Sequence, residues 1–284
     1  MNKSLFIMGA PNAGKSTYLA ALWHSINQHE MSMKLKLKKM IGDSQYLCRI
    51  ENKWLAYEPL ERTVIGQEKR ELTILLTDGT DELKLEFPDL SGETFQNIYE
   101  NREMSSELYE KIYNANAILY FINVEDIRTP EFIAEIPEEL RCEKVELDDL
   151  QKRNPGEHDP TQIQIIDLLQ MISKIKKEGV SLGIIFSAWD IVEDLTDGKT
   201  RTNPRTYLKN QMNMLWQYIE SNSNRFRTKV WGISAFGSKV EEYEKLLDLE
   251  NPAERIKIVD ENNMLSHDIT SIILEVTGNV YDEK

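Results

Sequence analysis

MGAPNAGKST, residues 8–17, puts two glycines, a lysine and two hydroxyls into one short turn. A packed core has no use for that combination, whereas a bound phosphate does. The turn fits G-x4-G-K-[ST] from Gly9 to Ser16. In that pattern glycines let backbone N–H groups curl around phosphate oxygens. The lysine meets the β/γ-phosphates as a point charge, and the hydroxyl ligates Mg²⁺. Phosphate contact is therefore expected of Gly9, Asn12, Ala13, Gly14, Lys15, Ser16 and Thr17, with Ser16 on the metal. The pattern needs a strand before it and a helix after it, whose positive end faces the anion. Residues 4–8 are a short apolar run, and residues 15–28 carry leucines and aromatics at helical spacing.

Outward from this turn, apolar runs alternate with helical patterns. Residues 33–40 begin with strand-like alternation. Residues 44–57 read as a helix with Tyr46, Leu47, Ile50, Trp54 and Leu55 on one stripe, stopped by Pro59. Strands at 71–76 and 83–87 flank an Asp-Gly turn, a strong hairpin signal. A helix is expected at 94–113, a buried strand at 117–123, a helix at 162–177 and a buried strand at 180–187. A helix at about 205–222, a last strand at 229–233 and a last helix at 263–277 complete the pattern. The expected fold is α/β: a three-layer, mostly parallel sheet with helices on both faces, one antiparallel hairpin strand and two insertions. The insertions are helical at about 42–58 and acidic at about 125–161, within one domain spanning 1–284.

The chain has 284 residues, 40% hydrophobic and 29% charged, with a formal net charge of −14. That charge argues against general nucleic-acid binding, which demands surplus Lys and Arg. Between Glu125 and Asp159 stand twelve Asp and Glu against five Lys and Arg. This stretch reads as a solvated insertion or as a docking surface for a basic partner. No run approaches the ~20 apolar residues of a membrane span, and the N-terminus reads as strand, not signal peptide. Two distant cysteines without metal-ligand spacing fit a reducing, cytoplasmic setting. His24 and His29 are poorly spaced for one metal, and Trp23, Trp54, Trp216 and Trp231 read as core.

Ligands in such sheets bind at the carboxyl ends of strands. After residues 83–87 comes Asp89-Leu-Ser-Gly92-Glu93. An Asp there can hold Mg²⁺ through its waters, and the Gly92 N–H can touch a γ-phosphate. After 180–187 comes Ser187-Ala-Trp189-Asp190, and after 229–233 comes Ser234-Ala235-Phe236. These two loops are where a base would sit. A carboxylate such as Asp190 accepts from guanine N1–H and N2–H₂, a pair that adenine does not offer. A backbone amide of the second loop can donate to guanine O6.

The motif order resembles the P-loop GTPases of the Ras-like and translation-factor (TRAFAC) class. The matches are GAPNAGKS at 9–16, DLSG at 89–92, SAWD at 187–190 and SAF at 234–236. The phrases YLAALW and DLSGETF look most like the double-GTPase-type domains of bacterial conflict and defence gene clusters. The resemblance implies GTP/GDP and Mg²⁺ as ligands, a switch I threonine, and a protein effector or complex subunits as partners, self-association included. Thr63 is the chosen threonine and metal ligand, with Thr73 and Thr77 as strand-bound rivals. Arg62 beside it is either a built-in arginine finger or an ordinary surface residue. Glu93 stands where many relatives carry a water-orienting Gln, and is otherwise a first-turn helix residue.

The chain departs from that class in its fourth motif. Ser187 replaces the Asn that braces the P-loop, and Ala188 replaces the Lys whose stem stacks on the base. Trp189 either covers the base instead or packs against the sheet. The expected function is a slowly hydrolysing GTP switch that controls a protein partner. A nucleotide-binding subunit without turnover and a P-loop ATPase are the alternatives.

Overall fold

A computed structural model describes residues 2–28, 32–60, 72–87, 93–130, 154–195, 202–238, 246 and 249–278. Among them, nine strands form one sheet. They are β1 (Asn2–Gly9), β2 (Lys36–Ile41), β3 (Leu72–Thr77), β4 (Glu82–Phe87), β5 (Ala117–Asn123), β6 (Val180–Ser187), β7 (Phe226–Ser234), β8 (Lys257–Val259) and β9 (Leu265–Ser266). Their order across the sheet is β2-β3-β4-β1-β5-β6-β7-β8-β9. The central strands β4, β1, β5, β6 and β7 are parallel. The chain leaves β1 toward one side of the sheet and leaves β5 toward the other. A crevice opens where two such connections part, at the carboxyl ends of the strands.

The apolar runs are continuous because both faces of the sheet are covered. In β1, Leu5 and Ile7 point into one core and Phe6 and Met8 into the other. The first face is covered by α1 (Lys15–Gln28), α2 (Ser44–Leu55) and α10 (Ser271–Gly278). The second face takes α3 (Glu93–Asn101), α4 (Ser106–Asn114), the short α5 (Pro155–His158) and α6 (Thr161–Ile175). It also takes α7 (Trp189–Leu195), α8 (Pro204–Gln211) and α9 (Asn213–Ser221).

The expected alternation of strand and helix holds, and several boundaries differ. The helix expected at 94–113 is two, because Arg102 turns left-handed at φ 61° and Ser105 caps a new start by accepting from the Leu108 amide. The helix expected at 205–222 breaks at Met212 (φ −136°). Helix α2 ends before Pro59 acts, since Tyr57 is left-handed at φ 57°. The strand ending at Ser234 is not the last: β8 runs antiparallel to β7, and β9 antiparallel to β8. A second reversed strand thus joins the hairpin strand β3. The turn between β8 and β9 is held by the Asp260 carboxylate, which accepts from Asn262 and Met264 amides at 2.8 Å. Residues 263–270, expected as helix, supply β9 and the turn before α10.

One close approach decides where a site side chain goes. A Cβ on Gly232 would stand 2.2 Å from the Trp189 ring, so that ring lies directly on the β7 backbone. Gly232→Ala must displace a buried indole, and overpacking of this kind costs about 1–3 kcal/mol. A denaturant midpoint matching the wild type would contradict that packing.

Candidate functional site

The loop between β1 and α1 has a backbone that its residues dictate. A Cβ on Gly9 would meet the Phe121 carbonyl at 2.7 Å, and one on Gly14 (φ +84°) would meet the Ser187 Cβ at 2.7 Å. Asn12 takes the left-handed region at φ 60°, which Asn tolerates better than most residues. The chain then enters α1 at Lys15. Lys15 is buried, and its ammonium donates to the carbonyls of Gly9 and Ala10, both at 2.8 Å. Ser16 and Thr17 follow in the first turn of the helix, both half-buried.

The neighbouring strands hold this loop in place. The Ser187 hydroxyl at the end of β6 donates to the Ala13 carbonyl at 3.0 Å. The brace for which the resembled class uses an Asn is therefore present, made by a shorter side chain at close range. From the end of β5, the Asn123 amide donates to the Asn12 carbonyl at 3.3 Å. Asn123 was not foreseen, although a polar residue closing a wholly apolar strand is a readable signal. A loop tied at Ala13 and Asn12 has little freedom left to lose on binding an anion.

Beside the loop lies a cavity of 460 Å³, within the usual range for a small-molecule site. Asn12, Gly14 and Thr17 line it together with Asp190, Ala235 and Phe236. The Asp190 carboxylate is half-buried and accepts a hydrogen bond from the Ser234 hydroxyl. Ser234 in turn faces the Asp190 amide at 3.3 Å, so the two loops lock each other. One carboxylate oxygen is thereby oriented by protein. Tyr18 lines the cavity floor; burial, helped by the negative charge of Asp268, raises its phenol far above the ordinary value. It stays a neutral donor, directed at the Ile269 carbonyl.

Of the two places open to Trp189, the structure shows the second. It is 2% exposed, packed on Gly232 and edge-on to Tyr207 at 5.2 Å, and it does not line the cavity. The reason is local. Ala188 adopts φ 55°, and this left-handed step turns the next side chain into the core while returning Asp190 to the crevice.

Arg62, Thr63, Asp89 and Gly92 lie outside the described residues, and Glu93 is the first residue of α3. Among the described residues no group of three or more His, Cys, Asp or Glu could hold a metal. Mg²⁺ needs no such cage: it keeps several waters and leans on phosphate oxygens with one or two protein ligands. A half-buried Ser16 hydroxyl at the start of α1 fits that requirement.

The family model described as Double-GTPase 1 matches residues 6–276. The chain belongs to the Double-GTPase 1 family. The match runs from β1, ahead of the phosphate loop, into the last helix. It makes the chain a TRAFAC-type P-loop GTPase in fold and family, and it supports binding of GTP.

Solved structures similar to this Double-GTPase 1 chain include the G domain of the T. maritima FeoB iron transporter. That likeness has a TM-score of 0.31 and 10% identity, over 87% of this chain and 96% of that one. The small GTPase Arl6 BBS3 from Trypanosoma brucei gives a TM-score of 0.36 and 12% identity, over 90% and 99%. The GTPase-like domain of S. cerevisiae Ski7 gives 0.41 and 12%, over 84% and 44%. No curated protein sequence matches the chain. No helix among the described residues is long and apolar enough to cross a membrane.

Proposed function

We propose that the chain binds guanine nucleotide between the 9–17 loop and Asp190, and hydrolyses GTP slowly as a switch acting on a protein partner. The observation that carries this reading is the Asp190 carboxylate, oriented by Ser234 in the same cavity that the phosphate loop lines. A fixed carboxylate accepts from the two N–H groups on the guanine edge and repels the lone pair that adenine presents there. Lys15 neutralises phosphate charge, and the amides of the Asn12–Thr17 turn supply donors. Bound Mg²⁺ would screen the phosphate oxygens, held on the protein side by Ser16. The roles of Thr63 and Asp89 as metal partners, Gly92 as γ-phosphate sensor, Glu93 at the attacking water and Arg62 as finger rest on the sequence pattern. A partner among proteins of bacterial conflict and defence systems is part of this proposal and rests on the sequence phrases YLAALW and DLSGETF alone.

Ala188 and Glu93 favour a second reading, binding without turnover: the missing lysine stem weakens the grip on the base, and a glutamate in place of the water-orienting Gln would oppose the γ-phosphate charge. Calorimetric titration of GDP, a non-hydrolysable GTP analogue and the matching ATP analogue, all with Mg²⁺, tests the binding step. Guanine should be preferred in the wild type. Asp190→Ala should erase the preference by roughly tenfold to a hundredfold, the worth of a charged hydrogen bond at ~1.5–3 kcal/mol. Equal binding of both bases by the wild type would remove the guanine assignment. Phosphate release from GTP, measured on the same preparation, separates the switch from the non-hydrolysing subunit.

A further inference from the structure

The cavity beside Asp190 lacks a lysine stem, yet one of its lining rings is backed by further flat groups. Phe236 lines the cavity and is only partly buried. Its ring stacks on Tyr57, with centroids 6.1 Å apart and planes 28° apart. The Arg255 guanidinium lies 4.1 Å from the Tyr57 ring centre and 3.7 Å from the Trp54 ring centre. Four planar groups from three segments therefore form one column: Trp54, Arg255, Tyr57 and Phe236.

The column is anchored on both sides of Phe236. The Trp54 indole N–H donates to the carbonyl of Ala235 at 2.9 Å. On the other side, Gly237 (φ +87°) comes so near Arg255 that a Cβ would stand 2.3 Å from its carbonyl oxygen. Arg255 is 3% exposed, donates to the Trp54 carbonyl, and among the described residues has no carboxylate partner. A buried cation is costly unless something offsets its lost hydration. Here two ring faces do so, and cation–π attraction is strongest when both partners are desolvated. The result is a stiff wall, whereas an isolated Phe on a loop would be free to rotate.

We propose that Phe236, held by the Trp54–Arg255–Tyr57 column, is the surface on which a purine ring stacks in this chain, replacing the lysine stem absent at Ala188. The proposal deepens the guanine-nucleotide reading and rests on it. Asp190 reads the edge of the base, and Phe236 takes its face. The division is economical, because face contact is indifferent to base identity while the edge contact selects it. Tyr57, Arg255 and Trp54 are positioning residues that never touch the ligand.

The test compares GDP with inorganic pyrophosphate, both with Mg²⁺, on the full chain. Phe236→Ala and the bulk-conserving Phe236→Leu should weaken GDP by about tenfold to a hundredfold, the loss typical when a base-stacking aromatic is removed. Neither should change pyrophosphate affinity by more than about twofold, since the phosphate loop is untouched. Phe236→Tyr should restore most of the GDP affinity. Arg255→Lys, which keeps the charge and loses the plane, should weaken GDP selectively in the same way.

GDP affinity unchanged in Phe236→Leu would overturn the stacking surface. So would an equal loss of GDP and pyrophosphate, which would mark a general structural effect. The wild-type titration is read first and separates the two claims. Binding of ADP as well as GDP overturns guanine selection, and the same Phe236 variants then judge the stacking surface with either base. Binding of neither nucleotide overturns both.

Discussion

Lys15→Ala should lower affinity for GDP and for GTP by at least about a hundredfold. The ammonium is buried among carbonyls, with hydrogen bonds to Gly9 and Ala10 at 2.8 Å. That leaves a cation beside the loop's own partial negative charges, where incoming phosphates meet it at short range. Two charge-assisted contacts at ~1.5–3 kcal/mol each account for the hundredfold. Removing the amine also takes a charged donor from the Gly9 and Ala10 carbonyls, the latter keeping only the Ala13 amide at 3.3 Å, so part of the loss comes from the loop. Lys15→Arg should not rescue binding, since a planar fork does not fit where a point charge is held by two converging carbonyls. Calorimetry decides: GDP binding by Lys15→Ala within about threefold of wild type would show that the loop does not use its lysine for phosphate.

The second large effect is on stability. Trp54→Ala should cost about 3–5 kcal/mol, the range for truncating a fully buried aromatic. Trp54 is 0% exposed, packs at a tilt against His24 with ring centres 5.2 Å apart and lies under the Arg255 guanidinium. Its loss opens a cavity and uncovers one face of a buried cation, two penalties from the short list that produces large destabilisation. The neighbouring His24–Glu51 contact at 2.9 Å ties α2 to α1, so the damage reaches the helix that begins with Lys15. Trp54→Phe separates volume from hydrogen bonding. It keeps most of the packing and loses the N–H to Ala235, a change of about 1 kcal/mol. Chemical denaturation gives both numbers, and a cost below about 1 kcal/mol for the alanine variant would contradict the packing.

What the sequence made legible was local and periodic. The glycine spacing from 9 to 14, the continuous strands at 117–123 and 180–187, and the Asp78-Gly79 hairpin are set by residues within a few positions of one another. Those features stand as expected. Serine at 187 was readable as a substitution; that its hydroxyl reaches the Ala13 carbonyl depends on how close Gly14 lets the loop come.

The missed features are tertiary. The orientation of Trp189, left open between base and sheet, turns on one left-handed residue, and Ala is an uncommon occupant of that region. Arg255 lies far along the chain from Trp54 and Tyr57, and no spacing rule connects them. Strands of three and two residues, as at β8 and β9, are too short to show a period. They exist because β7 offers an unpaired edge. The breaks at Arg102 and Met212 interrupt patterns whose apolar stripes continue across them, so periodicity alone runs through both.

The backbone at Ala188 also bears on how this site could change over generations. A left-handed φ of 55° burdens L-residues other than Asn and Asp by roughly 1–2 kcal/mol, and the protein already carries that burden with alanine. Further cost falls mainly on β-branched side chains, so valine, isoleucine and threonine are disfavoured there while an unbranched lysine is not. A lysine at 188 therefore meets no obstacle in the backbone.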